Sequence, residues 1–184
     1  MIQSWHRLLT LVKLAGKIHG RKRLQKLVYI LQSLGYAFPE EFSYYLYGPY
    51  SPELQFEVKT MVDKGLIQES KDGDIYSYSL TEDGEKVLNL LNSQQQPYLV
   101  ENLPEALVKE VVEQDSQFLE LVSTIMYLQN MGYENTEVID KAKALKPHLY
   151  RYMDKALDWA TALRQKNYCP LSPTSSPSCP QTNH

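Results

Sequence analysis

Two stripes of apolar residues at helical spacing constrain this chain most, because a pair of amphipathic helices must find a surface for each apolar face. Trp5, Leu8, Leu9, Val12 and Ala15 follow the 3.6-residue period over residues 4–18, and Gly20 stands as the stop. Leu24, Leu27, Val28, Leu31 and Leu34 repeat it over residues 22–34. There Lys22, Gln25, Lys26 and Tyr29 take the opposite face, and Gly35 ends the helix.

The next signals change period. Residues 42–47 are short and aromatic and lead into Gly48-Pro49, which predicts a brief extended segment and a turn. Ser51 is a good N-cap with Pro52 at the first helical position and Glu53 in the first turn, so a third helix is predicted from there to about Lys64. Leu66-Ile67 opens a strand, Lys71-Asp72-Gly73-Asp74 supplies a turn, and Ile75, Tyr76, Tyr78 and Leu80 supply a second strand. Thr81 then caps a helix whose first turn is crowded with Glu82, Asp83 and Glu85.

Three helices, a hairpin and a helix is the winged-helix order. The predicted fold class is mainly α with a small β-hairpin: a winged-helix-type region over 1–92, a polar connection over 93–103, and a helical extension over 104–166 packed back on it. The extension reads as helices near 104–113, 116–130, 135–145 and 147–165, with Phe118, Leu121, Val122, Ile125 and Leu128 as its clearest stripe. Residues 167–184 are rich in Pro and Ser and are expected not to pack.

Net charge is −3, unevenly spread: residues 1–39 hold seven Lys and Arg and no Asp or Glu, whereas residues 40–100 hold 11 acids against 4 bases. Cys169 and Cys179 both lie in the Pro/Ser-rich ending, where they cannot staple the fold, so a reducing, cytoplasmic setting is expected. No apolar run approaches bilayer length, so no membrane partner is expected.

Three stretches carry a resemblance: GRKRLQKLVYILQSLG over 20–35, YYLYGPYSPEL over 44–54 and LTEDGEKVL over 80–88. They resemble the bacterial YwgA-like family and, more distantly, the Panacea (SocA-like antitoxin) domain. In both, a Lys-Leu-x-Lys-Leu-type helix precedes a Gly-Pro turn that opens the next helix; here these are Arg23-Leu24-Gln25-Lys26-Leu27 and Gly48-Pro49. The Panacea likeness implies a winged-helix-like fold and antitoxin or adapter work done by binding proteins. The YwgA likeness implies a fold.

The residues offer little chemistry. There is no phosphate-binding glycine loop, His-x-Glu, Cys-x-x-Cys pair or nucleophile elbow, and a zinc site from His148, Cys169, Cys179 and His184 would need an ordered tail. No catalytic residue, metal or cofactor is expected. Two clusters are candidates for binding a partner. One is the basic set Lys13, Lys17, Arg21, Lys22, Arg23 and Lys26, expected to converge on one rim. The other is Tyr44, Tyr45, Tyr47 and Tyr50, of which strand alternation leaves two exposed. A DNA reader of this fold would present a neutral or basic third helix and wing. Here Glu53, Glu57 and Asp63 face Lys59 and Lys64, and Glu69, Asp72 and Asp74 face Lys71. The sequence therefore points first to a non-enzymatic, protein-binding adapter or antitoxin-like module, with self-association as one version, and second to a winged-helix DNA-binding regulator.

Overall fold

The structure is a computed structural model, described here for residues 2–94 and 103–167. The first stripe forms α1 (Ile2–Ala15) and the second α2 (Arg21–Ser33). Helix α1 ends at Ala15 rather than running on to residue 18. Gly16 leaves it with φ +70, and Lys17–His19 become a strand, β1. That strand puts Ile18 into the core, fully buried, and pairs it with Tyr78. Lys13 and Lys17 are therefore not neighbours on one helix face, as the periodicity predicts.

A second departure follows α2. Ser43–Tyr45 (β2) and Gly48–Tyr50 (β3) pair antiparallel, with Tyr44 opposite Pro49 and Tyr45 opposite Gly48. The turn thus lies at Leu46-Tyr47, and Gly48-Pro49 is strand. Proline is tolerated because a two-stranded ribbon leaves one N–H position of each strand unused. Helix α3 (Pro52–Asp63) begins after Ser51, whose side chain accepts a hydrogen bond from the Leu54 amide.

The predicted wing is β4 (Ile67–Asp72) and β5 (Ile75–Leu80), turning at Gly73 with φ +56. It gains β1 as a third strand, so the sheet runs β1-β5-β4, all antiparallel. Helix α4 (Glu82–Gln94) follows, capped where the Gly84 amide donates to Thr81 Oγ1 at 2.9 Å. Gly84 is packed against the backbone of Leu66, and a Cβ there would lie 2.1 Å from the Leu66 carbonyl oxygen.

The second half comprises α5 (Glu105–Val112), α6 (Ser116–Asn130), α7 (Asn135–Leu145), a 3₁₀ helix (Pro147–Tyr152) and α8 (Met153–Asn167). Asp115 caps α6 by accepting from the Gln117 and Phe118 amides. Helix α6 is the hub: Phe118, Leu119, Leu121, Val122, Ile125, Met126 and Leu128 are buried on it, and it packs against α2 on one side and α7 and α8 on the other. One continuous core includes residues of both halves. Arg23 joins them as well, donating from Nη1 to the carbonyls of Val112 and Gln114 at the C-terminal end of α5, where a cation suits the helix dipole. The Pro/Ser-rich ending, with Cys169 and Cys179, lies outside the described residues. No helix among the described residues is long and apolar enough to cross a membrane.

Candidate functional site

Residues 22, 25, 26 and 29 share one face of α2 by their spacing. Hydropathy marks that face as solvent-facing, but the structure turns it onto the chain segment 42–51. Gln25, Lys26 and Tyr29 are all buried. The Gln25 amide clamps Ser51, with Nε2 donating to the Ser51 carbonyl and the Ser51 amide donating to Oε1, both at 2.9 Å. Lys26 Nζ donates to the Pro49 carbonyl at 2.7 Å. The Tyr29 ring meets Phe42 edge-on at 5.1 Å, and its hydroxyl accepts from Asn130 Nδ2. Polar side chains are retained here because they satisfy main-chain groups that the short hairpin leaves unpaired.

A second lysine fastens the turn from the other side. Lys146, 2 % exposed, donates from Nζ to the Leu46 carbonyl and to Glu120 Oε1, both at 2.6 Å. Tyr44 lies on this inner face, its hydroxyl 3.3 Å from Thr124 Oγ1 and its ring 5.3 Å from Tyr127. Gly48, at φ +88, is what permits the approach: a Cβ there would meet Thr124 Oγ1 at 3.3 Å and Lys26 Nζ at 3.5 Å.

The outer face of the hairpin is aromatic. Tyr45 packs edge-on against Tyr50 at 5.5 Å, while Tyr45, Leu46 and Tyr47 are 54, 78 and 47 % exposed. Between this face and α2 lies a cleft of about 500 Å³, walled by Arg21, Lys22, Gln25 and Lys26 on one side and Tyr45, Leu46, Tyr47 and Gly48 on the other, with Tyr50 and Gln55 at its end. Among the described residues no acidic side chain lines it. Lys22 Nζ sits 3.1 Å above the Tyr47 ring.

The basic set does not converge on one rim. Lys13 pairs with Glu85 at 2.7 Å, Lys17 is exposed on β1, and Arg23 is committed to the α5 carbonyls. Arg21 leans on the β4–β5 hairpin, stacked 3.7 Å over Tyr76 and bonded to Tyr78 and Glu69. Tyr78, buried and donating to Glu69, is held well above the usual tyrosine pKa, chiefly by burial and then by that carboxylate. Of the ten candidates, Arg21, Lys22, Lys26, Tyr45, Tyr47 and Tyr50 meet in the cleft. Tyr44 faces the opposite way.

Electrostatically the floor is unbalanced. Burial pushes the Lys26 ammonium down to about 8; Glu120 opposes this, while Lys146 and Lys22 push it further the same way. Lys26 thus shares Glu120 with Lys146, and both Lys146 and Lys22 act on Lys26 as like charges. Sequence reasoning missed Gln25, Glu120 and Lys146. Glu120 falls off the apolar stripe of α6 and Lys146 precedes Pro147 at a helix end, positions that ordinarily read as solvated.

No family model matches the chain. It is 30 % identical over 172 residues to Uncharacterized protein YwgA of Bacillus subtilis (strain 168), covering 90 % of this chain and 99 % of that protein. With the likeness running nearly end to end, through both the hairpin and the helices beneath it, the chain belongs to the YwgA family.

Proposed function

We propose that this protein is a non-enzymatic protein-binding module, adapter-like or antitoxin-like, and that its contact surface is the cleft between α2 and the β2–β3 hairpin. The observation that carries the reading is an exposed Tyr45-Leu46-Tyr47 tip held rigidly at the mouth of a cleft. Aromatic side chains left in water beside a concave surface are typical anchors of protein interfaces. Two buried lysines fix the tip from beneath, so little ordering remains for a partner to impose. The polar groups of the floor are engaged with main-chain carbonyls and amides, an architectural use of lysine and glutamine rather than a catalytic one.

Strands β1, β4 and β5 form one sheet around α1, α2 and α3, with the β2–β3 ribbon inserted between α2 and α3, an order that supports a winged-helix-type reading of the N-terminal part and keeps the Panacea likeness relevant. It also sustains DNA binding as the second reading. Charge weighs against that reading. Lys13, Arg21 and Arg23 are engaged within the fold, and Glu53, Asp63, Asp72 and Asp74 are exposed on α3 and the wing, where a DNA reader needs cations free to meet phosphate.

Capture from a native lysate, with and without nuclease, tests the proposal. A partner should be retained by the intact chain under both conditions and lost with a Tyr45→Ala/Tyr47→Ala pair. Retention abolished by nuclease, together with micromolar or tighter sequence-selective duplex binding in a mobility shift, would overturn it in favour of a DNA regulator.

A further inference from the structure

We infer that the cleft receives an acidic segment of a partner protein, with one side-chain carboxylate seated against Lys26 and Lys22 and a neighbouring apolar side chain against Tyr45 and Tyr47. The inference rests on the protein-binding reading above and names the chemistry that the same cleft selects.

Three observations carry it. The first is charge. Lys22 and Lys26 line the cleft with no acid among its described walls, Arg21 beside them is paired with Glu69, and Glu120, which interacts with Lys26, is already bonded to Lys146. An arriving carboxylate would offset an excess of positive charge that the fold leaves uncompensated. The second is hydrogen-bonding capacity. An ammonium has three donors, and among the described residues Lys26 Nζ uses one, on the Pro49 carbonyl, although the residue is 3 % exposed and lines the cleft. A buried donor with capacity to spare is where an anion gains most. The third is shape. A cleft of about 500 Å³ bounded by tyrosine rings holds a few residues of extended peptide. A long polyanion would meet Glu69, which is bonded to Arg21 at the cleft edge, whereas a single carboxylate flanked by apolar groups would not.

Protonation gives a specific signature. The groups that act on Lys26 are Glu120 from α6, Lys146 ahead of the 3₁₀ helix, and Lys22 from its own helix. With its pKa at about 8 in the free protein, Lys26 is half neutral at pH 8. Seating a carboxylate beside it favours the charged form, so binding at that pH takes up as much as about half a proton.

The test uses the full chain and a fluorescein-labelled decapeptide of Gly and Ser with a central Leu-Glu-Tyr. Its counterpart with that Glu replaced by Gln, and a phosphotyrosine decapeptide without Glu, serve as comparisons. Anisotropy should give saturable binding for the first, at least about tenfold weaker binding for the Gln peptide, and no preference for the phosphopeptide. Titration calorimetry at pH 8 in buffers of different ionisation heat should report proton uptake. Lys26→Met should abolish both binding and uptake. Lys22→Glu, at an exposed position that keeps the fold, should weaken binding by about tenfold or more. Equal binding of the Glu and Gln peptides, preference for the phosphopeptide, or no response to Lys22→Glu overturns the inference. If a nuclease-insensitive partner is still captured through Tyr45 and Tyr47 while these outcomes hold, the carboxylate assignment fails and the protein-binding reading stands.

Discussion

Replacing Gly84 by alanine separates two lines of reasoning that give opposite signs. Gly84 lies in the first turn of α4, and helix propensity alone expects alanine there to stabilise by about 1 kcal/mol. The packing says otherwise. An alanine Cβ would stand 2.1 Å from the Leu66 carbonyl oxygen, 2.8 Å from Leu80 Cδ1 and 3.0 Å from the Leu66 carbonyl carbon, so α4 must retreat by about 1 Å to reach ordinary contacts. The Leu66 carbonyl accepts from the Thr81 amide at 3.2 Å and from Thr81 Oγ1 at 3.0 Å, and both bonds open in that retreat. Two hydrogen bonds at about 1 kcal/mol each, with about 1–3 kcal/mol of overpacking and the propensity gain set against them, leave a net loss of about 3 kcal/mol. For a chain of this size that lowers the melting temperature by about 6–12 °C. Urea titration followed by circular dichroism, with thermal melts alongside, measures both quantities. A variant as stable as the parent, or more so, would refute the close-packing argument.

Two further outcomes follow from the floor of the cleft. Lys26 has an ordinary value of 10.5 in the unfolded chain and about 8 in the folded one, so between those values the unfolded chain holds the extra proton. Stability should therefore rise as pH increases from about 8 towards 10.5, by at most about 3 kcal/mol, and denaturant titrations of Lys26→Met across that window should lack the rise. Gln25→Ala removes both bonds to Ser51 and leaves a buried carbonyl and amide unmatched, for an expected loss of about 2–4 kcal/mol in denaturant midpoint analysis. A loss under about 0.5 kcal/mol would mean that water replaces the clamp.

The helices of this protein are legible in its sequence because burial itself writes the 3.6-residue period, as in Leu24, Leu27, Val28 and Leu31. Ser51 and Thr81 announce helix starts through local hydrogen bonds, and local bonds are what a linear pattern records. Strand β1 is not legible: one apolar residue between Lys17 and His19 has no period, and its partner Tyr78 lies far along the chain. Gly48-Pro49 reads as a turn by composition, whereas the glycine is there for close approach to Thr124 and Lys26. The polar face of α2 misleads for a related reason. Lysine and glutamine score as solvent-facing unless a main-chain carbonyl waits for them, and that carbonyl comes from the hairpin. Six of ten candidate residues meet in the cleft, but the groups that shape its charge, Glu120 and Lys146, come together only through tertiary packing.

The lysine pair beneath the hairpin also bears on when this protein becomes competent. The bond from Lys26 to Pro49 spans 23 positions, and the bond from Lys146 to Leu46 spans 100. Closing the second requires the chain to be made, and folded, well past α6 and α7. During synthesis the N-terminal helices can assemble while the ribbon lacks one of its two anchors, so the Tyr45-Leu46-Tyr47 tip is set late. Completion of the C-terminal helices thus precedes the final setting of the hairpin tip, and a chain truncated before Lys146 lacks one of its two anchors.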